Sequence, residues 1–173
     1  MSGKEDVVAA VIAAGGGQMT GRVRLQKVVY LLERLGLNSG LDFDYHHYGP
    51  YSRELDEATL DAQEFLGLRE DFAHRASDGA RYSVFRFDGR PAPNALGDLK
   101  AEEARTLLET FRKTNVTVLE LAATVDWLWR EEKIEDWRRE VTKRKGVKVQ
   151  DGRLERAVEL LNSLGLSPPK IAA

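Results

Sequence analysis

The segment Val116–Glu131 is apolar on nearly every side, with only Thr117, Glu120 and Thr124 forming a narrow polar stripe. A helix of this kind has no face to give to water, so neighbouring elements must cover it all round. We read it as the spine of the C-terminal half. Asp126 lies opposite the polar stripe, and Arg130 follows it by one helical turn. A pair at that spacing neutralises the carboxylate, which makes Asp126–Arg130 a structural ion pair; a functional carboxylate is the alternative.

Helical periodicity supplies the cover. Lys4–Ala14 presents Val7, Val8, Val11 and Ile12, with Ser2 and Glu5 at capping-box spacing, and stops at Gly15-Gly16-Gly17. Arg22–Leu35 presents Leu25, Val28, Leu32 and Leu35 and ends at Gly36. Arg53–Leu66, capped by Ser52 and ended by Gly67, buries Leu55, Ala58, Ala62, Phe65 and Leu66. Further helices fit Leu99–Lys113, Ile134–Lys145 and Gly152–Leu164. Strand signals are fewer. Phe43–Tyr48 is rich in aromatics and is broken by Gly49-Pro50, while Arg69–His74 and Arg81–Phe87 flank the turn signal Ser77-Asp78-Gly79. Asp88–Asn94 is a linker or surface loop. The expected fold class is α+β: a winged-helix-like N-terminal module with a small antiparallel sheet, residues 1–90, packed on a C-terminal helical bundle, residues 97–167. The two are expected to share one core.

Several chemistries are excluded. The chain has 173 residues, 42% hydrophobic and 31% charged, an ordinary globular mixture, and no cysteine, which removes thiol catalysis and thiolate metal sites. Gly16-Gly17-Gln18-Met19-Thr20-Gly21-Arg22 has phosphate-loop glycine spacing, but Arg22-Val23 replace the lysine and hydroxyl that hold phosphate and magnesium. It reads instead as a glycine loop between helices. His46 and His47 would point to opposite faces of a strand, and His74 has no companion, so no metal site is expected. No Gly-x-Ser-x-Gly elbow is present. No catalytic, cofactor or metal residues are assigned, and the expectation is a non-enzymatic protein without cofactor. No apolar run reaches the ~20 residues of a membrane helix, and the acidic start is not a signal peptide, so a cytoplasmic protein without a membrane partner is expected.

The most distinctive stretch is Tyr48-Gly49-Pro50-Tyr51-Ser52, a strand-to-helix corner whose tyrosines can pack by the ring and bond outward by the hydroxyl. Two readings stand: a structural corner, and a groove for a partner. Together with Leu25-Gln26-Lys27-Val28-Val29-Tyr30-Leu31-Leu32 and Phe43–Leu55, it resembles the YwgA-like family of uncharacterised prokaryotic proteins. Leu119–Thr124 and the helix from Gly152 resemble the same family, so the likeness covers Thr20–Leu166. More distantly, the Leu-Gln-Lys helix and the Tyr-Gly-Pro corner are similar to the SocA-like antitoxin, or Panacea, domain. That resemblance implies an antitoxin or adaptor surface that grips a toxin or delivers a client, and it brings no catalytic residues.

Helix order suggests a winged helix, and charge tests whether it reads DNA. The segment Arg53–Leu66 carries Glu54, Asp56, Glu57, Asp61 and Glu64 against Arg53 alone, and would meet a polyanion against repulsion. The chain's net charge is −2. The expected function is therefore a protein-interaction module, with Tyr48, Tyr51, Arg53, Asp56 and Glu57 as partner-binding residues. The alternative is a winged-helix DNA-binding regulator using a wing with Arg75, Arg81 and Arg86 and the basic run Arg138, Arg139, Lys143, Arg144, Lys145 and Lys148. That run could equally meet an acidic partner, or the acidic helix of a second copy in a dimer.

Overall fold

The computed structural model describes residues 3–88 and 90–171. Its helices are α1 (Lys4–Ala14), α2 (Arg22–Leu35), α3 (Arg53–Leu66), α4 (Ala101–Lys113), α5 (Val116–Arg130), α6 (Trp137–Lys145) and α7 (Arg153–Ser163). The strands are β1 (Gln18–Thr20), β2 (Asp44–His46), β3 (Gly49–Tyr51), β4 (Arg69–His74), β5 (Arg81–Arg86), β6 (Ala95–Leu96) and β7 (Leu99–Lys100). The fold is α+β. Ser2 lies outside the described residues; α1 is led by Gly3, whose N–H donates to Asp6 at 3.2 Å.

Three antiparallel strands run in the order β1-β5-β4; β1 packs on α1 and α2, and α3 packs on α1. A strand between the first two helices and a hairpin after the third is the winged-helix arrangement. The glycine stretch therefore holds more than a loop: Gln18–Thr20 pair with Val84–Arg86 on the far side of the module. Three residues pair too briefly to leave a periodic signal, and only the sheet partner makes them a strand. The aromatic segment differs as well. Only Asp44–His46 is extended, and Gly49-Pro50 does not break the sheet but starts the return strand, with Tyr45 opposite Pro50. This small β2–β3 hairpin is an insertion between α2 and α3. Leu99 and Lys100 pair with Leu96 and Ala95 rather than opening the next helix, which starts at Ala101.

The α5 helix is covered by α2, α6, α7 and β3. Its apolar residues Leu119, Leu121, Ala122, Ala123, Val125 and Leu128 are all buried. They belong to one continuous cluster that also takes in Val8, Ile12, Leu31 and Phe85 from the N-terminal half and Phe111, Val141 and Leu161 from the C-terminal half. Each of the larger side chains contributes about 1.5–3 kcal/mol on removal from water. The expected Asp126–Arg130 pair is formed at 3.2 Å. Two partners from α2 complete it: Arg34 at 2.9 Å and the hydroxyl of Tyr30, which donates at 2.7 Å. Burial first, and then the Asp126 charge, push the Tyr30 phenol well above its usual range. Among the described residues, no helix is long and apolar enough to cross a membrane.

Candidate functional site

The Leu-Gln-Lys stretch of α2 and the Tyr-Gly-Pro corner form one device. Gln26 clamps the corner backbone from both sides of its amide, donating to the Ser52 carbonyl and accepting from the Ser52 N–H, each at 2.8 Å. Lys27 donates to the Pro50 carbonyl at 2.6 Å. Ser52 in turn caps α3 by accepting from Leu55 N–H at 3.2 Å. Behind the corner, Gly49 has φ +88°, and an added Cβ would lie 2.5 Å from Thr124 Oγ1. Glycine is needed there both for its backbone angle and for its contact with α5. The corner is thus latched from α2 and backed by α5.

Beneath it lies a buried charge cluster. Glu120 accepts from Lys145 at 2.8 Å and from Lys148 at 2.9 Å. Lys145 also donates to the His47 carbonyl at 3.1 Å. Lys27 stands near the same carboxylate. Burial, reinforced by the charges of Lys145 and Lys148 and opposed by Glu120, lowers its ammonium to about 8. Burial likewise lowers Lys145. Arg144 reaches Glu132 and Glu140, each at 2.8 Å, and stacks on Tyr45 with its guanidinium 4.7 Å from the ring centre.

These contacts divide the basic run. Lys145 is buried on Glu120, Lys148 bonds the same carboxylate from a partly exposed position, and Arg144 lies along the surface between Glu132 and Glu140. Arg138, Arg139 and Lys143 face outward. The structure does not bring the six together as one solvent-facing patch. Sequence spacing cannot reveal this, because Glu120 and Glu132 come from segments distant in the chain.

The partner-binding candidates fall on two adjoining surfaces. Tyr48, in the turn of the β2–β3 hairpin, is 55% exposed. It sits between a groove of about 710 Å³ running to the β4–β5 hairpin and a smaller hollow of about 130 Å³ that reaches Lys27, His46, Tyr51 and Asp56. The Tyr51 hydroxyl donates to Asp56 at 2.6 Å, and its ring rests against His46 with centres 4.5 Å apart. Arg53 and Glu57 are exposed on α3 and paired with each other at 3.2 Å. His46 and His47 are both exposed, and among the described residues no group of three His, Asp or Glu side chains could hold a metal.

One α3 residue departs from expectation. Phe65 is 68% exposed rather than buried, while Leu66 packs, partly buried, against the core as expected. Leu60 is 59% exposed at the opposite edge of the solvent face. Phe65 lies at the edge of the apolar arc, where periodicity alone does not decide between core and surface.

No family profile matches the chain. It is similar to the uncharacterised protein YwgA of Bacillus subtilis, 28% identical over 139 residues that cover 76% of this chain and 81% of YwgA. It is also similar to a DNA ADP-ribosyl glycohydrolase of Thermus aquaticus, 32% identical over 133 residues that cover 70% of this chain and 34% of that enzyme. The chain thus spans about a third of the enzyme's length. This finding overturns the expectation of a non-enzymatic protein: the absence of a recognisable catalytic motif does not separate the chain from enzymes, since one of its relatives is named as one.

Proposed function

We propose that this YwgA-like chain is a binding module for another protein, which docks on the outer face of α3 beside the tyrosine corner. One observation carries the reading. Leu60 and Phe65, two large apolar side chains, stand in solvent at the two edges of the exposed face of α3, with Glu57, Asp61 and Glu64 exposed between them. Large apolar side chains left in solvent beside a strip of charge mark a surface that meets another protein. A polyanion would be repelled by the carboxylates and would have no use for the Leu60 and Phe65 side chains. The matching partner offers an apolar pocket for Phe65 and a basic rim. Arg53, Asp56 and Tyr51 border the same face at the start of the helix.

Site-specific photocrosslinking tests this. A photoreactive residue in place of Leu60 or Phe65 should capture one discrete protein in the native host, and the same residue in place of Glu102 on α4 should not. The captured protein, once purified, should bind the wild-type chain. Its affinity should fall about tenfold or more with Phe65→Asp, and likewise with Glu57→Lys, Asp61→Lys and Glu64→Lys combined. Capture of only a second copy of the chain, equal capture from position 102, or undiminished binding by those variants overturns the reading.

A further inference from the structure

The groove beyond Tyr48 has the opposite chemistry to α3. We propose that it binds a single-stranded polynucleotide, with phosphates on its arginines and bases against Tyr48 and Tyr82. Arg22 and Arg24 enter from the first turn of α2, Arg75 and Arg81 from the β4–β5 hairpin, and no Asp or Glu lines the groove.

Two of these cations are not neutralised by any carboxylate among the described residues. Arg81 stacks on Phe72, its guanidinium 4.2 Å from the ring centre. Arg24 spends Nη1 on the carbonyls of Phe111 and Thr114, at 2.6 and 2.7 Å, and its Nε and Nη2 make no hydrogen bond to the described residues. Arg22 and Arg75 are paired with Glu70 and Asp78, and each arginine side chain is 61% exposed. The field in the groove is positive, although the chain as a whole carries −2.

The rings supply the second half of the recognition. Tyr48 is 55% and Tyr82 36% exposed, one from each of the two hairpins that border the groove. Arginines beside exposed aromatic rings suit a strand whose bases are free to stack, because every base has a π-face. A duplex offers no such bases. To be read in the usual winged-helix manner it would also need α3 in its major groove, against the five carboxylates on that helix.

The test is fluorescence anisotropy with labelled dT12 and rU12 on the full chain at 50 mM NaCl, the two probes separating DNA from RNA as the source of the strand. Binding should weaken with salt, and a blunt duplex of equal length should not compete. Tyr48→Ala and Tyr82→Ala should each lower affinity about tenfold. Arg75→Glu with Arg81→Glu should lower it further and flatten the salt dependence. Combined reversal of Arg138, Arg139 and Lys143 should change nothing, and neither should the α3 reversals, so this proposal and the protein-docking reading fail independently. All these positions are exposed, and variants are compared only where their unfolding midpoints match the wild type. No binding of either strand, equal binding of the duplex, equal displacement by a polyglutamate peptide, or equal loss from the Arg138, Arg139 and Lys143 reversal overturns the proposal.

Discussion

Two stretches of this chain carry comparable charge and meet opposite fates. The α3 helix bears five carboxylates against Arg53, and the stretch from α6 to Lys148 bears six cations against Glu140. On α3, Glu57, Asp61 and Glu64 remain in solvent between Leu60 and Phe65. In the basic stretch, Lys145 and Lys148 converge on Glu120, and Arg144 bridges Glu132 and Glu140. A charge run in a sequence therefore reports surface potential only where no distant segment supplies its counter-charge. Mutation separates these surfaces.

The largest effect is expected inside. Glu120→Ala leaves Lys145 buried without its carboxylate and removes the anchor of Lys148. Breaking a buried pair in this way should cost about 3–5 kcal/mol in denaturant unfolding. In a Lys145→Met, Lys148→Met background the same change should cost less than half as much, because the stranded charges are gone. A cost below about 1 kcal/mol in the wild-type background would mean that the lysines are solvated and that the contrast with α3 is false.

A smaller effect belongs to Lys27. Its folded-state ammonium is lowered to about 8 from 10.5, through burial first and the neighbouring lysines second. Between those values the unfolded chain holds a proton that the folded chain has released. The wild type must then gain stability as pH rises through this window, and lose that gain as pH falls through 8. Relative to Lys27→Met, which cannot titrate, the gain should be on the order of 3 kcal/mol between pH 7.5 and 10.5. Parallel stability curves for the two proteins would contradict the buried, charged environment assigned to Lys27.

The smallest effect is expected on α3. Single reversals at Glu57, Asp61 or Glu64 should shift stability by less than about 0.5 kcal/mol, as substitutions at solvated positions do. The Arg53–Glu57 pair, 86% and 60% exposed, adds little to that. A loss of about 2 kcal/mol at any of the three would reveal packing on the face assigned to a partner. The comparison would then need redrawing.

Much of the fold was legible. The apolar spacing of Arg22–Leu35 and Arg53–Leu66, with glycine after each, matches α2 and α3. The turn signal at Ser77-Asp78-Gly79 lies between β4 and β5. The short strands were not legible. Gln18–Thr20 and Gly49–Tyr51 exist because of partners across the sheet, and Gly49-Pro50 looks locally like an end rather than a beginning. The site was half legible. Tyr48, Tyr51, Arg53 and Glu57 could be singled out by composition and placed at a corner. Phe65 could not be assigned to the surface, nor Lys145 to the interior, nor Arg144 and Lys148 to their carboxylates.

By itself, then, the sequence determined the helices, because their periodicity and caps are written in neighbouring residues. It also determined that Val116–Arg130 must be enclosed, since a helix apolar on all sides has no other stable place in water. Tertiary structure alone decided which charges remain free, how Gln26 and Lys27 hold the corner, and that Arg22, Arg24, Arg75 and Arg81 line one groove. Those outcomes depend on groups brought together from distant parts of the chain. Burial and the nearness of a counter-charge, unlike periodicity, have no value until the chain has folded.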